Sequence, residues 1–234
     1  MKLINTNITQ ELNEDYLIET LNLNNKTILE LGCGAAKKTV SIATTGFDRK
    51  IIACEVDKLQ HDKNIQLDYE NIEFKLCGAE DIDQDDESVD IIFMFKSFHH
   101  IPINLMPKAL SEIKRVLKSN GLAYISEPLF LGDLSDIIAM FHNEEIVRQE
   151  AFNAIKKSVD NEEFKLFQEI FFYTPDTYDN FDEFKSKVMN VTFNNNNISK
   201  ELEEEVKKKF MKASNNNQRT TFKKPFRVDI LQKI

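Results

Sequence analysis

Residues 28–36 read Ile-Leu-Glu-Leu-Gly-Cys-Gly-Ala-Ala, an apolar run that stops at an acid and two glycines directly ahead of a helical stretch. This limits the possible folds sharply. Gly32 and Gly34, spaced Gly-x-Gly, let the backbone turn where no side chain fits. They leave bare main chain at the start of the next helix, whose first N–H groups have no partner within the helix. The reading is a ligand-binding loop at the carboxyl end of a first parallel strand. The plainer alternative is a tight strand-to-helix connection with no ligand.

The rest of the chain continues that rhythm. A short leading helix is expected over residues 11–23, then a strand over 27–31 and a helix over 37–45, with Gly46 as its stop. Strands follow at 50–56, 72–77, 89–95 and 122–126, with helices at 58–69 and 105–117 between them. The second and fourth strands are nearly all apolar, as expected where both faces are covered. After Pro128 the pattern changes: one or two helices over 133–160, a sixth strand over 165–173, helices over 181–191 and 199–213, and a terminal strand over 221–234. The stretches 194–197 and 215–217 are asparagine-rich and expected as polar loops. Pro225 argues that the terminal strand is an edge or bulged strand near its start. Together these predict an α/β, Rossmann-like, doubly wound and mostly parallel seven-stranded sheet, with helices on both faces and a helical insertion or lid after the fifth strand. One domain is expected: a leading helix in 1–26, a core in 27–128, the insertion in 129–164, and C-terminal strands and helices in 165–234.

The 234 residues are 41% hydrophobic and 29% charged, enough for one sizeable core. A net charge of -9 argues against unaided binding to nucleic acid or an anionic membrane. No apolar run nears the ~20 residues that span a bilayer, and the start of the chain lacks a signal-peptide core. Cys33, Cys54 and Cys77 have neither metal nor disulfide-framework spacing. They fit a reducing, cytoplasmic setting and read as small buried hydrophobes. No metal site is expected.

In open α/β sheets ligands bind across the carboxyl ends of the strands. The second strand ends in Glu55, about 20 residues past the glycines, where an acid can accept from ribose hydroxyls or cap the next helix. The third ends in Cys77-Gly78-Ala79-Glu80-Asp81-Ile82, and the fourth in Phe95-Lys96-Ser97-Phe98-His99-His100-Ile101. Leu110-Ser111-Glu112-Ile113-Lys114-Arg115-Val116-Leu117 and Leu122-Ala123-Tyr124-Ile125-Ser126-Glu127-Pro128 complete the series. A nicotinamide-dinucleotide loop would need a third glycine at Lys37. Over residues 27–128 the chain resembles a class I S-adenosylmethionine-dependent methyltransferase, of the small-molecule group that includes the quinone-biosynthesis enzymes. Ala36 stands where that pattern has its third glycine.

The resemblance implies S-adenosylmethionine as cofactor. Glu30, Gly32, Cys33 and Gly34 would cradle its methionine part. Glu55 would bind the ribose, with Val56 against the adenine. Gly78, Ala79 and Glu80 would border the adenine, and Lys96 would offer its carbonyl to the amino group. The family often has an acid at Gly78, so Glu80 or Asp81 is a candidate substitute. His99 and His100 are candidates for proton transfer from a phenol or alcohol; alternatively one packs beneath the helix and the other caps it. The acceptor is expected to be a small molecule, apolar or aromatic if Phe130, Leu131, Met140, Phe141 and Phe152 line a lid rather than a core. A non-catalytic binder of S-adenosylmethionine or S-adenosylhomocysteine, and a nicotinamide-dependent oxidoreductase, are the alternatives.

Overall fold

A computed structural model describes residues 1–190, 198–214 and 219–234. Seven strands form one sheet in the order β3-β2-β1-β4-β5-β7-β6. They are β1 (Thr27–Leu31), β2 (Lys50–Glu55), β3 (Ile72–Leu76), β4 (Val89–Phe95), β5 (Leu117–Pro128), β6 (Phe164–Tyr178) and β7 (Thr220–Lys233). The first five are parallel, and β7 runs antiparallel between β5 and β6. This is the Rossmann-like, mostly parallel sheet expected.

Alternation along the central strands divides the core in two. Leu29, Ile52, Ile92 and Ala123 face one way, where α4 (Met106–Val116) and α6 (Glu145–Asp160) cover them. Ile28, Ile51, Ile91 and Tyr124 face the other, against α1 (Glu14–Glu19) and α2 (Lys37–Thr44). With helices on both faces, every position of β4 except Asp90 is buried. The helix α3 (Lys58–Asn64) links β2 to β3, and no described helix is long and apolar enough to cross a membrane.

A third cluster lies apart from the sheet core. The inner-strand pairing of β5 with β7 stops at Pro128↔Phe226, but β6 and β7 run on together from Tyr173↔Pro225 to Tyr178↔Thr220. This ribbon overhangs the carboxyl edge of the parallel strands. Upon it α5 (Asp133–Ile138), α7 (Phe181–Phe184, continued by a π-helical turn to Met189) and α8 (Lys200–Ala213) enclose a core centred on Phe210. The segment 129–164, expected to act as a lid, thus divides: α5 joins this cap, while α6 packs under the sheet beside α4.

Several expectations need correction. β7 is internal from Phe226 onward, and only its start, Thr220–Pro225, is the edge that Pro225 suggested. Pro225 is tolerated because its carbonyl accepts from the Leu129 N–H (2.9 Å), so its ring nitrogen faces the side where β5 has already ended. Asn120-Gly121 does not separate helix from strand: β5 begins at Leu117 and takes up the irregularity, Asn120 turning to φ +63°. Both α1 and α3 are shorter than expected. Cys54 and Cys77 lie at the adjacent ends of β2 and β3 and are joined as a disulfide; Cys33 alone is a free thiol. The stretches 194–197 and 215–217, and the end of the 181–191 helix, lie outside the described residues.

Candidate functional site

The glycine loop is held from beneath. The N–H groups of Gly32 and Cys33 both donate to the Cys54 carbonyl at 3.0 Å, and that of Gly34 donates to Glu55 Oε2 at 2.7 Å. Three of the loop's donors are therefore satisfied internally, and fewer face a ligand than the sequence suggests. The two glycines serve different ends. At Gly32 (φ +76°) a Cβ would lie 2.7 Å from that of Ser97, whose hydroxyl donates to the Leu31 carbonyl. At Gly34 (φ +52°) a Cβ would meet nothing within 4 Å, so the space above the loop is open. Ala36 caps α2 in the left-handed region at φ +56°, fully buried and with no side-chain cap. The position therefore asks for glycine on conformational grounds.

Glu30 lies under this loop, 2% exposed, its Oε2 accepting from Thr39 Oγ1 at 2.6 Å. Burial pushes its carboxyl up to about 7; the Thr39 hydrogen bond and the charge of Lys38 oppose the rise. Cys33 is shut in by the protein itself. Its thiol accepts from Asn64 Nδ2 at 3.5 Å, and burial together with Glu30 and Glu55 pushes it up to about 12.

At the ends of β2 and β3 the other expected residues gather. Glu55 Oε1 accepts from the Val56 and Asp57 N–H groups at 2.8 and 2.9 Å, so this carboxylate ties its own turn to the glycine loop. Val56 beside it is 68% exposed, an apolar side chain facing outward from a strand end. Ala79 is buried. A Cβ built on Gly78 would lie 2.5–2.7 Å from the Glu80 carboxyl atoms. Glu80 has thus folded into the space that a side chain at 78 would occupy.

At the ends of β4 and β5, Lys96 turns to φ +56°, an uncommon conformation for a non-glycine residue, while its N–H donates to the Ser126 carbonyl at 2.8 Å. His99 and His100 follow in a 3₁₀ turn, rings 4.1 Å apart. Their environments differ. His99 is 3% exposed, its Nδ1 pairs with Glu127 Oε2, and its Nε2 lies 3.6 Å from Glu144 Oε1. Burial alone would lower it, but Glu127 and then Glu144 raise it to about 9, so it is held charged and is no base at neutral pH. His100 reaches the surface; partial burial of its ring and the charge on His99 hold it below the ordinary histidine range. Glu144 lies well below the carboxylate range despite burial, drawn down by His99, Arg148 and His142. Met140 and Phe141 pack into the cap core and Phe152 lies against the Arg227 guanidinium, so Phe130 and Leu131 are what remain of the expected apolar lining.

Sequence reasoning missed Thr39, Asn64, Glu127 and Glu144. Thr39 and Asn64 sit in ordinary helical segments, and nothing local shows that they turn toward the glycine loop. Glu127 ends β5 as Glu30 ends β1, a parallel that could have drawn attention to it.

Sheet order, glycine loop and strand-end acids together define a class I methyltransferase fold. A profile of the methyltransferase-domain family matches residues 22–169, and the chain belongs to that family. An uncharacterized methyltransferase of Schizosaccharomyces pombe is 33% identical over 114 residues, 49% of this chain and 42% of the yeast protein. An uncharacterized Rickettsia prowazekii protein is 33% identical over 106 residues, 44% of this chain and 19% of its own length. The chain thus spans less than half of these relatives. Among solved structures, the Bacillus subtilis YcgJ protein superposes with TM-score 0.69 at 17% identity, covering 94% of this chain and 97% of its own. Geranyl diphosphate C-methyltransferase of Streptomyces coelicolor, solved with Mg2+, geranyl diphosphate and S-adenosyl-L-homocysteine, gives 0.55 at 14%, covering 94% and 78%. At such identities the likeness is one of fold.

Proposed function

We propose that this chain transfers a methyl group from S-adenosylmethionine to a small-molecule acceptor. The observation that carries the reading is Glu30: a buried carboxyl beneath a loop whose second glycine opens onto empty space. A cationic ligand there would favour its ionisation and gain a counter-charge. Family membership supports the same reading.

The remaining strand ends fit the cofactor's parts. Glu30 would face the methionine end, with the main chain of Gly32, Cys33 and Gly34 bounding it. Glu55 keeps one lone-pair position beyond its three N–H partners for a ribose hydroxyl, and exposed Val56 offers an apolar surface for a base. Glu80, folded over Gly78, would accept from an exocyclic amino group, so the missing acid at 78 is supplied from two residues on. Lys96 would present its carbonyl. When bound, the cofactor supplies an already electrophilic methyl group. The protein's share is to hold the acceptor in line, worth up to ~7–11 kcal/mol, and to take a proton where one must leave. Of the two histidines only His100 is exposed enough to do so. The acceptor would lie under the overhanging ribbon, between Lys96, His100 and Phe130. The charged groups there favour an acceptor with a polar reacting end over a purely apolar one.

Isothermal titration with S-adenosylmethionine and S-adenosylhomocysteine tests this. Micromolar-range binding to the wild type, lost in Glu55→Ala while the variant still unfolds cooperatively, is the expected result. Absence of binding to the wild type would overturn the proposal.

A further inference from the structure

We propose that His99, His100 and Glu144 form a site for a divalent transition metal of the zinc type, just beyond the carboxyl end of β4. One potential ligand atom from each lies within 4.8 Å of the others, the one such grouping among the described residues. Zn–N and Zn–O bonds of about 2.0–2.2 Å place tetrahedral ligands about 3.3 Å apart. His99 Nε2 and Glu144 Oε1, at 3.6 Å, nearly meet that spacing already, and a bound metal would take the place of the proton that His99 Nε2 carries in its absence. His100, exposed at the end of its 3₁₀ turn, would close the third position by turning its side chain.

The surroundings are those of a metal ligand set. A ligating histidine normally gives its other ring N–H to a carboxylate, which fixes tautomer and ring orientation. Glu127 does this at His99 Nδ1, and its Oε1 is itself held by the Phe98 N–H at 3.0 Å. Glu144 Oε2 is gripped by Arg148, leaving Oε1 to face the histidines. In this structure His142 Nε2 lies 2.9 Å from that same oxygen, and it must turn aside or join when a metal binds. Three of the chain's four histidines therefore converge on one glutamate, brought together from β4's end and the start of α6. Two imidazoles and a carboxylate suit zinc or cobalt; Mg2+ would demand more oxygen ligands. With His142 turned aside, three protein ligands leave a fourth position open, as in catalytic rather than structural zinc sites.

The metal site stands independently of the cofactor; its role in catalysis rests on the methyltransferase proposal. An acceptor hydroxyl or thiol on the open position would release its proton to water at a lowered pKa, and the metal would hold the resulting anion. His100 would then be a ligand, and the metal would assume the task otherwise left to a base.

The test is titration of the full-length, chelator-treated protein with Co2+ alone, followed by its visible d–d absorption, with no cofactor or acceptor present. One equivalent is expected, displaced by Zn2+. His100→Ala, a surface change that spares folding, should abolish the absorption, and Glu127→Gln should weaken binding by about 10–100-fold. His61→Ala, far from the cluster, should leave it intact. No absorption in the wild type, or absorption retained in His100→Ala, would overturn the site. Cofactor binding by the metal-free protein is measured separately, so either proposal can fail alone.

Discussion

Replacing Glu30 by Gln should make the protein more stable than the wild type in alkaline solution and leave the two nearly alike in acid. The carboxyl is wholly buried and raised from 4.5 to about 7. Between those values the unfolded chain has released its proton while the folded chain keeps it. The folded state therefore binds more protons, and stability falls as pH rises. At about 1.4 kcal/mol per pH unit the whole penalty is about 3 kcal/mol, of which about 2 kcal/mol develops between about pH 5.5 and about pH 8. Gln keeps an oxygen for Thr39 and has no proton to lose. Urea unfolding of both proteins at those two pH values isolates the term as the change in their difference, because all other titrating groups are shared. A difference that stays constant with pH would refute the account of Glu30 as a buried acid held protonated. The same variant should lose cofactor affinity, since the counter-charge that ionisation would offer a cationic ligand is gone.

Three further outcomes follow from local geometry. Ala36→Gly should stabilise the protein by about 0.5–1 kcal/mol, because relief of a left-handed alanine outweighs the added freedom of the unfolded chain; a drop in the urea midpoint would refute this. Glu80→Ala should weaken S-adenosylmethionine binding by about 10–100-fold, the worth of a hydrogen bond to a charged group. Adding Gly78→Asp to that variant should restore affinity, and unchanged affinity in both would remove Glu80 from the site. Arg227→Met should destabilise by about 3–5 kcal/mol, because it strands Asp229, fully buried with Oδ1 already lacking a partner and pushed up to about 6 by burial. The double change Arg227→Met with Asp229→Asn should unfold at a higher urea concentration than the single variant.

The sequence by itself determined the parallel half of the sheet. The strands β1, β2 and β4 are each announced by a short apolar run, β3 by a weaker alternation, and the pairs Ile28/Leu29, Ile51/Ile52 and Ile91/Ile92 already divide two core faces. It also fixed which acids and glycines stand at strand ends, since register follows from where each strand stops. Tertiary structure alone decided how those groups are used. Whether Glu55 faces a ligand or its neighbours' N–H groups, and whether Glu80 fills the gap above Gly78, depends on backbone atoms of other segments. The pairing of His99 with Glu127 and Glu144 joins residues 28 and 45 positions apart in sequence. The placing of β7 between β5 and β6 depends likewise on a return of the chain across about a hundred residues, and the cap over the strand ends follows from it. Periodicity and turn chemistry are local and can be read along the chain; partnership across the sheet comes from burying surfaces against each other, and no single segment carries that information.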